Sequence, residues 1–455
     1  MTPPVDFSSL SAVEKDALIA QLLARLEALE RENAELRAKL KLPPKTPDNS
    51  STPPSRGHKA SDTAGAGEPR KAKGTPHAGA HRALHPNPDR RLDLRTDACP
   101  HCQADVSGVA QDAQQAYDRI ELPAIKPDVT RVTLYGGVCP CCAQTFKAAP
   151  PAELAPGSPF GPNLRAFVLY LRFTQAISFE RLSRLCSDLL GLAISEGALV
   201  NMLENSREHF ARQASLIRDR LLAGTILASD ETSVRVGKQT WWTWVFHHAE
   251  NACFVIHRNR SRAVVEEFLG TYRPDYWVSD RLAAQMAWAR KDHQVCLAHL
   301  LRDVQYAIDA GDAAFAPRLH ALLKEACAIA RRRDTLADTT LKSYAYKLDA
   351  KLDALIKITP QGQEGAKLQR MVRKYRRHFF VFLDNRAIPP TNNGSEQAIR
   401  PCVVFRKVTN CFRSQWGAKL YADIRSVLET ACRRTLGSLH AIRLTLNGQS
   451  LPETG

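Results

Sequence analysis

Two aspartates, far apart in the chain, have the surroundings expected of ligands for divalent cations. Asp230 lies in the β-branched stretch TILASDETSVRV, and Asp280 ends the stretch DYWVSD. Burying a carboxylate without a partner costs several kcal/mol, and a second acid beside it adds repulsion. Two Mg²⁺ or Mn²⁺ ions remove that cost, and they activate a water or a 3′-hydroxyl group while stabilising the leaving oxygen. The aspartates therefore predict a two-metal site for phosphodiester chemistry.

A third carboxylate completes such a site, and we expect Glu396 in PPTNNGSEQAIRP to supply it. The alternative is that Glu396 is only a first-turn acid, favoured by the positive end of a helix. Asp384 is a rival, but VFLDNRAIPP indicates a segment that turns before the loop. Strand alternation should point Glu231 away from Asp230, so we predict no metal role for Glu231.

The elements around the aspartates predict how they meet. Three strands in TILASDETSVRV, QTWWTWVFHHA and CFVIHRNRS precede the amphipathic helix RAVVEEFLGTY and the strand DYWVSD. This order is that of a ribonuclease H-like core, in which acids on adjacent central strands face each other. From Asp280 to Glu396 the chain is mostly helical, which predicts a helical insertion. Its Arg and Lys residues either hold DNA or form a solvated face.

Two short cysteine pairs, CPHC and CPCC, indicate a structural zinc ion. Four thiolates with this spacing can surround one tetrahedral Zn²⁺, and the residues between the pairs alternate like strands. The predicted ligands of this zinc ribbon are Cys99, Cys102, Cys139 and Cys142, with Cys141 either as a bystander or in the place of Cys142. The alternative is a chance cluster of reduced thiols.

The N-terminal segment carries a seven-residue apolar repeat that predicts a coiled-coil dimer. Ser11 and Glu14 have the spacing of a capping box at its start. The repeat places Ile19, Leu26, Asn33 and Leu40 at one set of core positions and Leu22, Leu29 and Leu36 at the other. A surface helix packed on its own protein is the alternative.

Further along, SFERLSRLCSDLLGLAISEGALVNMLENSREHF has the layout of a helix-turn-helix. One helix should end near Gly191, and Ser195 with Glu196 should start the next. Two interpretations are open, namely recognition of DNA bases and plain helical packing. In VCLAHLLRD, the residues Cys296, His299 and Asp303 share a helical face, which indicates either a metal ligand or a structural histidine beneath the sheet.

The 455 residues carry a formal net charge of +16, which implies a polyanionic partner. Nucleic acid is favoured over lipid because the chain shows neither a signal segment nor an apolar run of membrane-spanning length. Basic residues interleaved with aromatic and β-branched ones indicate phosphate contacts, although surface charge without a role is the alternative. The residues concerned are Arg400, Arg406, Lys407 and Arg413.

Taken together, the motifs resemble those of the insertion-sequence 66 family of bacterial DDE transposases over nearly the whole chain. The matching pieces are the leucine-rich N-terminal helix, NSSTPPS, the CPxC pairs, SDETSVRV, VSD, CLAH, NNGSEQAIRP and RKVTNCFRS. The resemblance implies that Asp230, Asp280 and Glu396 are the three catalytic acids. It also implies a zinc-binding domain, a helical insertion and partner proteins encoded by the same mobile element. The chain departs from the family pattern at Arg281 with Leu282, at Gln397 and at Asp303.

We therefore expect an α/β multidomain protein with a ribonuclease H-like core. The expected units are a coiled-coil helix (1–42), a flexible basic linker (43–95), a zinc ribbon (96–150), a helical, helix-turn-helix-like DNA-binding region (151–222), the core in two parts (223–290 and 381–435), the helical insertion (291–380) and a C-terminal tail (436–455). The final LPETG looks like a sortase tag and is excluded from the fold prediction.

The expected function is that of a DNA transposase in the bacterial cytoplasm, associated with the nucleoid. It should act as a homodimer or higher oligomer that binds element ends and target DNA, with two Mg²⁺ or Mn²⁺ ions and one structural Zn²⁺. The alternatives are a DNA-binding regulator with a catalytically silent core, and a nuclease that cuts DNA without joining it.

Overall fold

The computed structural model describes residues 11–40, 42–50, 82–151 and 154–453, which form a mixed α/β protein. Its helices are α1 (Ala12–Leu40), α2 (Pro162–Phe173), α3 (Phe179–Leu190), α4 (Glu196–Glu204), α5 (Arg207–Leu222), α6 (Arg262–Leu269), α7 (Leu297–Asp309), α8 (Ala316–Arg332), α9 (Asp338–Leu355), α10 (Gly362–Tyr375), α11 (Asn393–Thr409), α12 (Gln415–Arg433) and α13 (Ser438–Leu446). Its strands are β1 (Gly136–Val138), β2 (Thr145–Lys147), β3 (Ile226–Val236), β4 (Gln239–His248), β5 (Asn251–His257), β6 (Tyr276–Ser279) and β7 (Asp292–Val295). Within these ranges, no helix is long and apolar enough to span a lipid bilayer.

The central sheet has five strands in the order β5-β4-β3-β6-β7. The first three strands in sequence, β3 to β5, are antiparallel, whereas β6 and β7 run parallel to β3. The predicted order of three strands, a helix and a strand is confirmed, and the sheet is compatible with a ribonuclease H-like core. Strand β7 is a correction, because it lies inside the range 291–380 that the sequence indicated to be helical.

The two faces of this sheet bury different side chains. Leu227, Trp244 and Trp277 pack with the apolar residues of α6 on one face. On the other face, Ala228 and Val278 pack with α7. Helices α11 and α12 cover the same side of β4 and β5, where the α2–α5 helices and α13 extend the core. The strand carrying Asp230 is therefore enclosed between two layers of helices.

The helix-turn-helix layout is present in the predicted position. Gly191 ends α3 in the left-handed conformation, with φ 64°, which glycine adopts without strain. The Ser195 hydroxyl accepts a hydrogen bond from the Ala198 amide and so caps α4. Leu182 and Leu199 are both buried in the shared helical core. This burial supports the packing interpretation, while base recognition by these helices stays a prediction.

Residues 436–453 are structured, which corrects the predicted tail. Helix α13 packs on α2, α5 and α12. Leu451, in the stretch interpreted as a tag, is only 1% exposed. The Arg434 guanidinium donates hydrogen bonds to the carbonyls of Leu451 and Pro452, at 3.3 and 2.9 Å. The start of LPETG is therefore part of the fold and cannot be left out of it.

The N-terminal part contrasts with the core. Helix α1 is present, and its leucines at 22, 26 and 29 are exposed on the single chain, so the coiled-coil dimer stays a prediction. The described end of the predicted linker, residues 82–95, contains no helix or strand. Its start, residues 43–50, is packed against the core instead of being free. The centre of that linker, residues 51–81, lies outside the described residues.

Candidate active site

Sheet register brings the two predicted aspartates side by side. Ala228 of β3 pairs with Val278 of β6 in parallel. Two residues further along each chain stand Asp230 and Asp280, so both lie at the same level and on the same face. The Asp280 carboxylate accepts a hydrogen bond from the Leu282 amide at 2.8 Å, which fixes the loop that follows β6. Adjacent parallel strands thus present two carboxylates at one edge of the sheet.

The residues just before Glu396 hold the start of α11 against the sheet. Asn392 is 2% exposed, and its side-chain amide donates to the Ser229 carbonyl on β3 at 2.9 Å. Its backbone amide donates to the Cys296 sulfur at 3.0 Å. Asn392 therefore connects α11 with β3 and with the end of β7. This places Glu396, in the first turn of α11, where its charge acts on Asp230.

A buried histidine on β4 completes this support. The Ser395 hydroxyl donates to the Asn392 side-chain oxygen at 2.6 Å and lies 2.8 Å from His247 Nε2. Burial lowers the pKa of His247 well below its usual value, so the ring is neutral. A Cβ on Gly394 would approach His247 Cε1 to 3.2 Å. The structure therefore explains three residues of the NNGSE motif besides the acid, namely Asn392, Gly394 and Ser395.

The electrostatics of this region favour a bound cation. Burial raises the pKa of Asp230 well above its usual value, and the charges of Glu231, Asp280 and Glu396 raise it further. Glu396 Oε1 is buried and, in the part of the chain that the structure describes, accepts no hydrogen bond. A carboxylate that is repelled by its neighbours and a buried carboxylate oxygen that accepts no hydrogen bond both fit the ligand chemistry of Mg²⁺.

No closed ligand set is formed, however. Across residues 11–40, 42–50, 82–151 and 154–453, no three His, Cys, Asp or Glu side chains are arranged to hold one metal ion. The metal roles of Asp230, Asp280 and Glu396 therefore remain predictions, as does the zinc role of the four cysteines.

Helix α7 contributes two residues that the sequence interpretation did not assign to the site. His299 Nε2 and Arg302 Nη1 each lie 3.7 Å from Glu396 Oε1. Burial lowers the pKa of His299, although the Glu396 charge opposes this effect. His299 thus faces the acids. Its spacing from Cys296 was visible in the sequence, but its partner lies about 100 residues away in the chain.

The other residues of the VCLAHLLRD motif diverge from His299. Cys296 is buried and accepts the Asn392 amide hydrogen bond described above. Asp303 forms an ion pair with Arg281. These three residues of the motif therefore do not converge on one metal ion. Arg281 and Asp303 are two of the positions that depart from the family pattern, and here they neutralise each other.

Glu231 lies on the opposite face of β3 from Asp230, as predicted. Its side chain is 1% exposed and pairs with Arg260, whose Nε lies 2.9 Å from Glu231 Oε1. Burial, together with the Asp280 charge, raises the pKa of Glu231 to about 7. The sequence interpretation missed this electrostatic contact between Glu231 and Asp280. Strand alternation predicts which face of the sheet a side chain lies on, but not how close it is to a charge on the next strand.

Glu231 also belongs to a buried hydrogen-bond chain behind the aspartates. The Trp277 indole donates to the Ser229 hydroxyl, which donates to Gln285 Oε1, both at 2.8 Å. The Gln285 amide in turn donates to Glu231. Because Gln285 follows the loop that begins at Asp280, this chain links that loop to the strand that carries Asp230. The rival acid Asp384 lies elsewhere, since the charges acting on it are those of Asp292 and Lys342.

The two cysteine pairs form equivalent turns. In each pair the first cysteine donates its amide hydrogen to the carbonyl five residues on, at 2.9 Å for Cys99 and 2.8 Å for Cys139. Backbone N–H groups two and three residues further on lower the pKa of both thiols. Hydrogen bonds of this kind stabilise thiolates, the form that binds zinc. The turns therefore fit a zinc knuckle individually.

The predicted DNA-contacting residues divide into two groups. Arg400, Lys407 and Arg413 are exposed, as a phosphate contact requires. Arg406 is different, because its guanidinium donates to the Thr232 hydroxyl at 3.0 Å and to the Ser233 carbonyl. Arg406 therefore ties α11 to β3, and the prediction that it contacts DNA lacks support from its position.

Comparison with protein families agrees with this geometry. Residues 157–420 match the family described as Transposase IS66 family, and this range includes all three acids and the helices around them. No curated protein is similar enough to count as a match. Since the matched range covers more than half of the chain, the protein belongs to the IS66 family of transposases.

Proposed function

We propose that this transposase binds the ends of its element and uses Asp230, Asp280 and Glu396 to hold two Mg²⁺ ions for DNA cleavage and strand transfer. The observation that carries the proposal is the placement of three carboxylates from β3, the end of β6 and the start of α11 in one electrostatically coupled group. The five-stranded sheet that carries them would be a ribonuclease H-like core.

The residues of the chain have separable tasks in this proposal. When bound, the cations would activate the attacking water or 3′-hydroxyl and stabilise the leaving oxygen. His299 and Arg302 hold the Glu396 carboxylate in place through its Oε1 side. The Asn392 hydrogen bonds fix the position of the first turn of α11, which carries Glu396, relative to the sheet. Arg400, which lies one helical turn beyond Glu396, is exposed and suited to a DNA phosphate.

The N-terminal units would then position DNA and subunits. The cysteine turns would hold one structural Zn²⁺, and the helical region with α3 and α4 would contact the element ends. Helix α1 would dimerise through its exposed leucines. Proteins encoded by the same element and a site of action on the bacterial nucleoid remain part of the proposal through the family resemblance alone.

The test is metal-dependent cleavage of candidate element ends by purified protein. Single Ala variants of Asp230, Asp280 and Glu396 should abolish Mg²⁺-dependent nicking and joining, while binding to the ends survives. Asp384→Ala is the control, because this acid was the rival for the third position but lies apart from the three. Retained strand transfer in the three variants would refute the site.

The same assay separates the alternative functions. A DNA-binding regulator would bind the ends with a steep salt dependence and show no metal-dependent nicking in the wild type. A nuclease would nick but would not join a precut end to target DNA. Joined products from the wild type alone support the transposase.

A further inference from the structure

A proline-rich segment that follows α1 is folded onto the catalytic part of the protein. This segment, residues 43–50, is called the anchor segment below. Asn49, near its C-terminal end, is 4% exposed. The Asn49 oxygen accepts the Thr46 amide at 2.7 Å, and its NH₂ group donates to the Pro44 carbonyl at 3.1 Å. One buried side chain therefore closes the segment into a turn.

The same Asn49 side chain fastens this turn to α7. Its NH₂ group also donates to Asp309 Oδ2 at 2.9 Å, while Gln305 donates to the other Asp309 oxygen at 2.8 Å. Lys45 lies over the Tyr306 ring, 5.7 Å from its centre. A buried amide with all these partners specifies one docked position, because any other position would leave its polar atoms unpaired.

The surface beneath the anchor segment is a groove between α7 and α8. This open groove has a volume of about 590 Å³ between these helices and the anchor segment. The groove residues are Leu301, Arg302, Gln305, Asp309, His320 and Lys324. Arg302 belongs to both places, since it lines the groove and lies 3.7 Å from Glu396 Oε1. The anchor segment therefore docks one side chain away from the candidate catalytic acid.

We propose that the α7–α8 groove is a docking surface for the chain's own anchor segment, and that this contact fastens helix α1 to the catalytic core beside Arg302. The anchor segment begins three residues after α1 ends at Leu40. A dimer formed through α1 would consequently hold each catalytic core on a short connection. The cysteine turns, by contrast, are joined to the anchor segment through about fifty residues. The proposal concerns a contact within the chain, and it stands whether or not the acids are catalytic.

Trypsin cleavage between Lys45 and Thr46 tests the docking directly in the full-length protein without DNA or metal. The docked segment protects this bond, so Asn49→Ala should be cut about tenfold faster, because it removes the hydrogen bonds that hold the segment. Asp309→Ala removes the partner on α7 and should have a similar effect. Asp48→Ala is the control, since Asp48 is an exposed neighbour in the same turn.

Hydrogen exchange of the anchor segment, measured on the same proteins, distinguishes undocking from general unfolding. Undocking should raise exchange in residues 43–50 and leave the central sheet protected. Equal cleavage rates in the wild type, Asn49→Ala and Asp309→Ala would overturn the proposal. It would also be overturned if protection of the Lys45 bond appeared only at concentrations where the protein dimerises, since the groove would then hold the segment of a second copy.

Discussion

The carboxylates at the edge of the central sheet and the cysteines of residues 96–150 both have the chemistry of metal ligands, but their surroundings are opposite. Asn392 and Ser395, which support Glu396, are 2% and 0% exposed. Between the cysteine pairs, Tyr117 and Leu122 are 76% and 75% exposed, although their types would favour burial. The sheet holds its acids in place through packing, whereas the cysteine region has no comparable core.

This difference predicts what each ion does for the protein. At the sheet, the framework already stands, and the acids within it repel each other. A cation bound there would relieve the repulsion between the carboxylates and would supply the chemistry of the proposed reaction. In the cysteine region, a zinc ion would supply the stability that burial does not, because small metal domains obtain their folding free energy from the metal. Removing each ion should therefore have unequal structural consequences.

The largest expected effect is the loss of structure in residues 96–150 when zinc is removed. Structural zinc contributes about 10–16 kcal/mol in small metal domains, so a chelator should abolish hydrogen-exchange protection at the Cys99 and Cys139 amides. The free energy of unfolding of the central sheet and its helices should change by less than about 0.5 kcal/mol, because changes at distant sites affect stability independently. Exchange and bound zinc would be measured on the same samples.

Two substitutions control this experiment. Cys139→Ser should reproduce the effect of the chelator, whereas Cys141→Ser should keep both zinc and protection because Cys141 lies between the predicted ligands. If the chelated protein keeps its protection in residues 96–150, the comparison fails and the four cysteines are not a structural zinc site.

An intermediate effect is expected from the charge on Glu231. Its pKa is about 7 in the folded protein and 4.5 in the reference state. The folded state therefore binds the proton more tightly, and its stability falls as the pH rises from about 4.5 to about 7. This difference in pKa corresponds to about 3 kcal/mol of unfolding free energy. Glu231→Gln removes the titration, so the stability of this variant relative to the wild type should increase by that amount across the window.

Denaturant unfolding in the presence of a chelator would measure this pH dependence. Asp423→Asn serves as the control, because burial raises the pKa of Asp423 to about 6 at a position on α12. The stability contributed by Asp423 should fall as the pH rises from about 3.8 to about 6. A wild-type curve that parallels that of Glu231→Gln at every pH would show that burying the Glu231 charge beside Asp280 carries no such cost.

The parts of this fold that were predictable are those whose signals are local. Strand alternation revealed β3 and β4, and Gly191 and Ser195 marked the ends of α3 and α4. Strand β7 was missed because its sequence, DHQV, is polar. In the structure, Gln294 is fully buried, donating to the Phe379 carbonyl and accepting from the Phe382 amide. Its partners lie more than 80 residues away, where no local pattern indicates them.

The same limit applies to the candidate site. Asp230 and Asp280 stood out in the sequence because acids in apolar strands contradict their surroundings, and Glu396 stood out because a helix start and a basic run follow it; the catalytic role of all three stays a prediction. The proximity of Arg302 and His299 to Glu396 was not predictable, because it depends on how α7 packs beside α11. The docking of Asn49 on Asp309 was also hidden, since residues 42–50 have the composition of a linker. Composition predicts whether a segment can form its own core, but not whether a neighbouring surface accepts it.

The smallest expected effect concerns the two adjacent asparagines before Glu396. Asn392 is buried and connects α11 with β3, whereas Asn393 is exposed. Asn392→Ala removes the amide that donates to the Ser229 carbonyl and the oxygen that accepts from the Ser395 hydroxyl, which should lower the free energy of unfolding by about 2 kcal/mol. Asn393→Ala should change it by less than about 0.5 kcal/mol. Both free energies come from denaturant unfolding at neutral pH.

The paired variants also sharpen the comparison between the two regions. If packing alone places Glu396, Asn392→Ala should reduce metal-dependent nicking more than it reduces DNA binding, while zinc content stays unchanged. Equal losses of stability in Asn392→Ala and Asn393→Ala would contradict this expectation, because the position of α11 on the sheet would then not depend on the buried Asn392 side chain. The acidic site would in that case resemble the cysteine region, with its geometry set by the bound ion and not by the sheet.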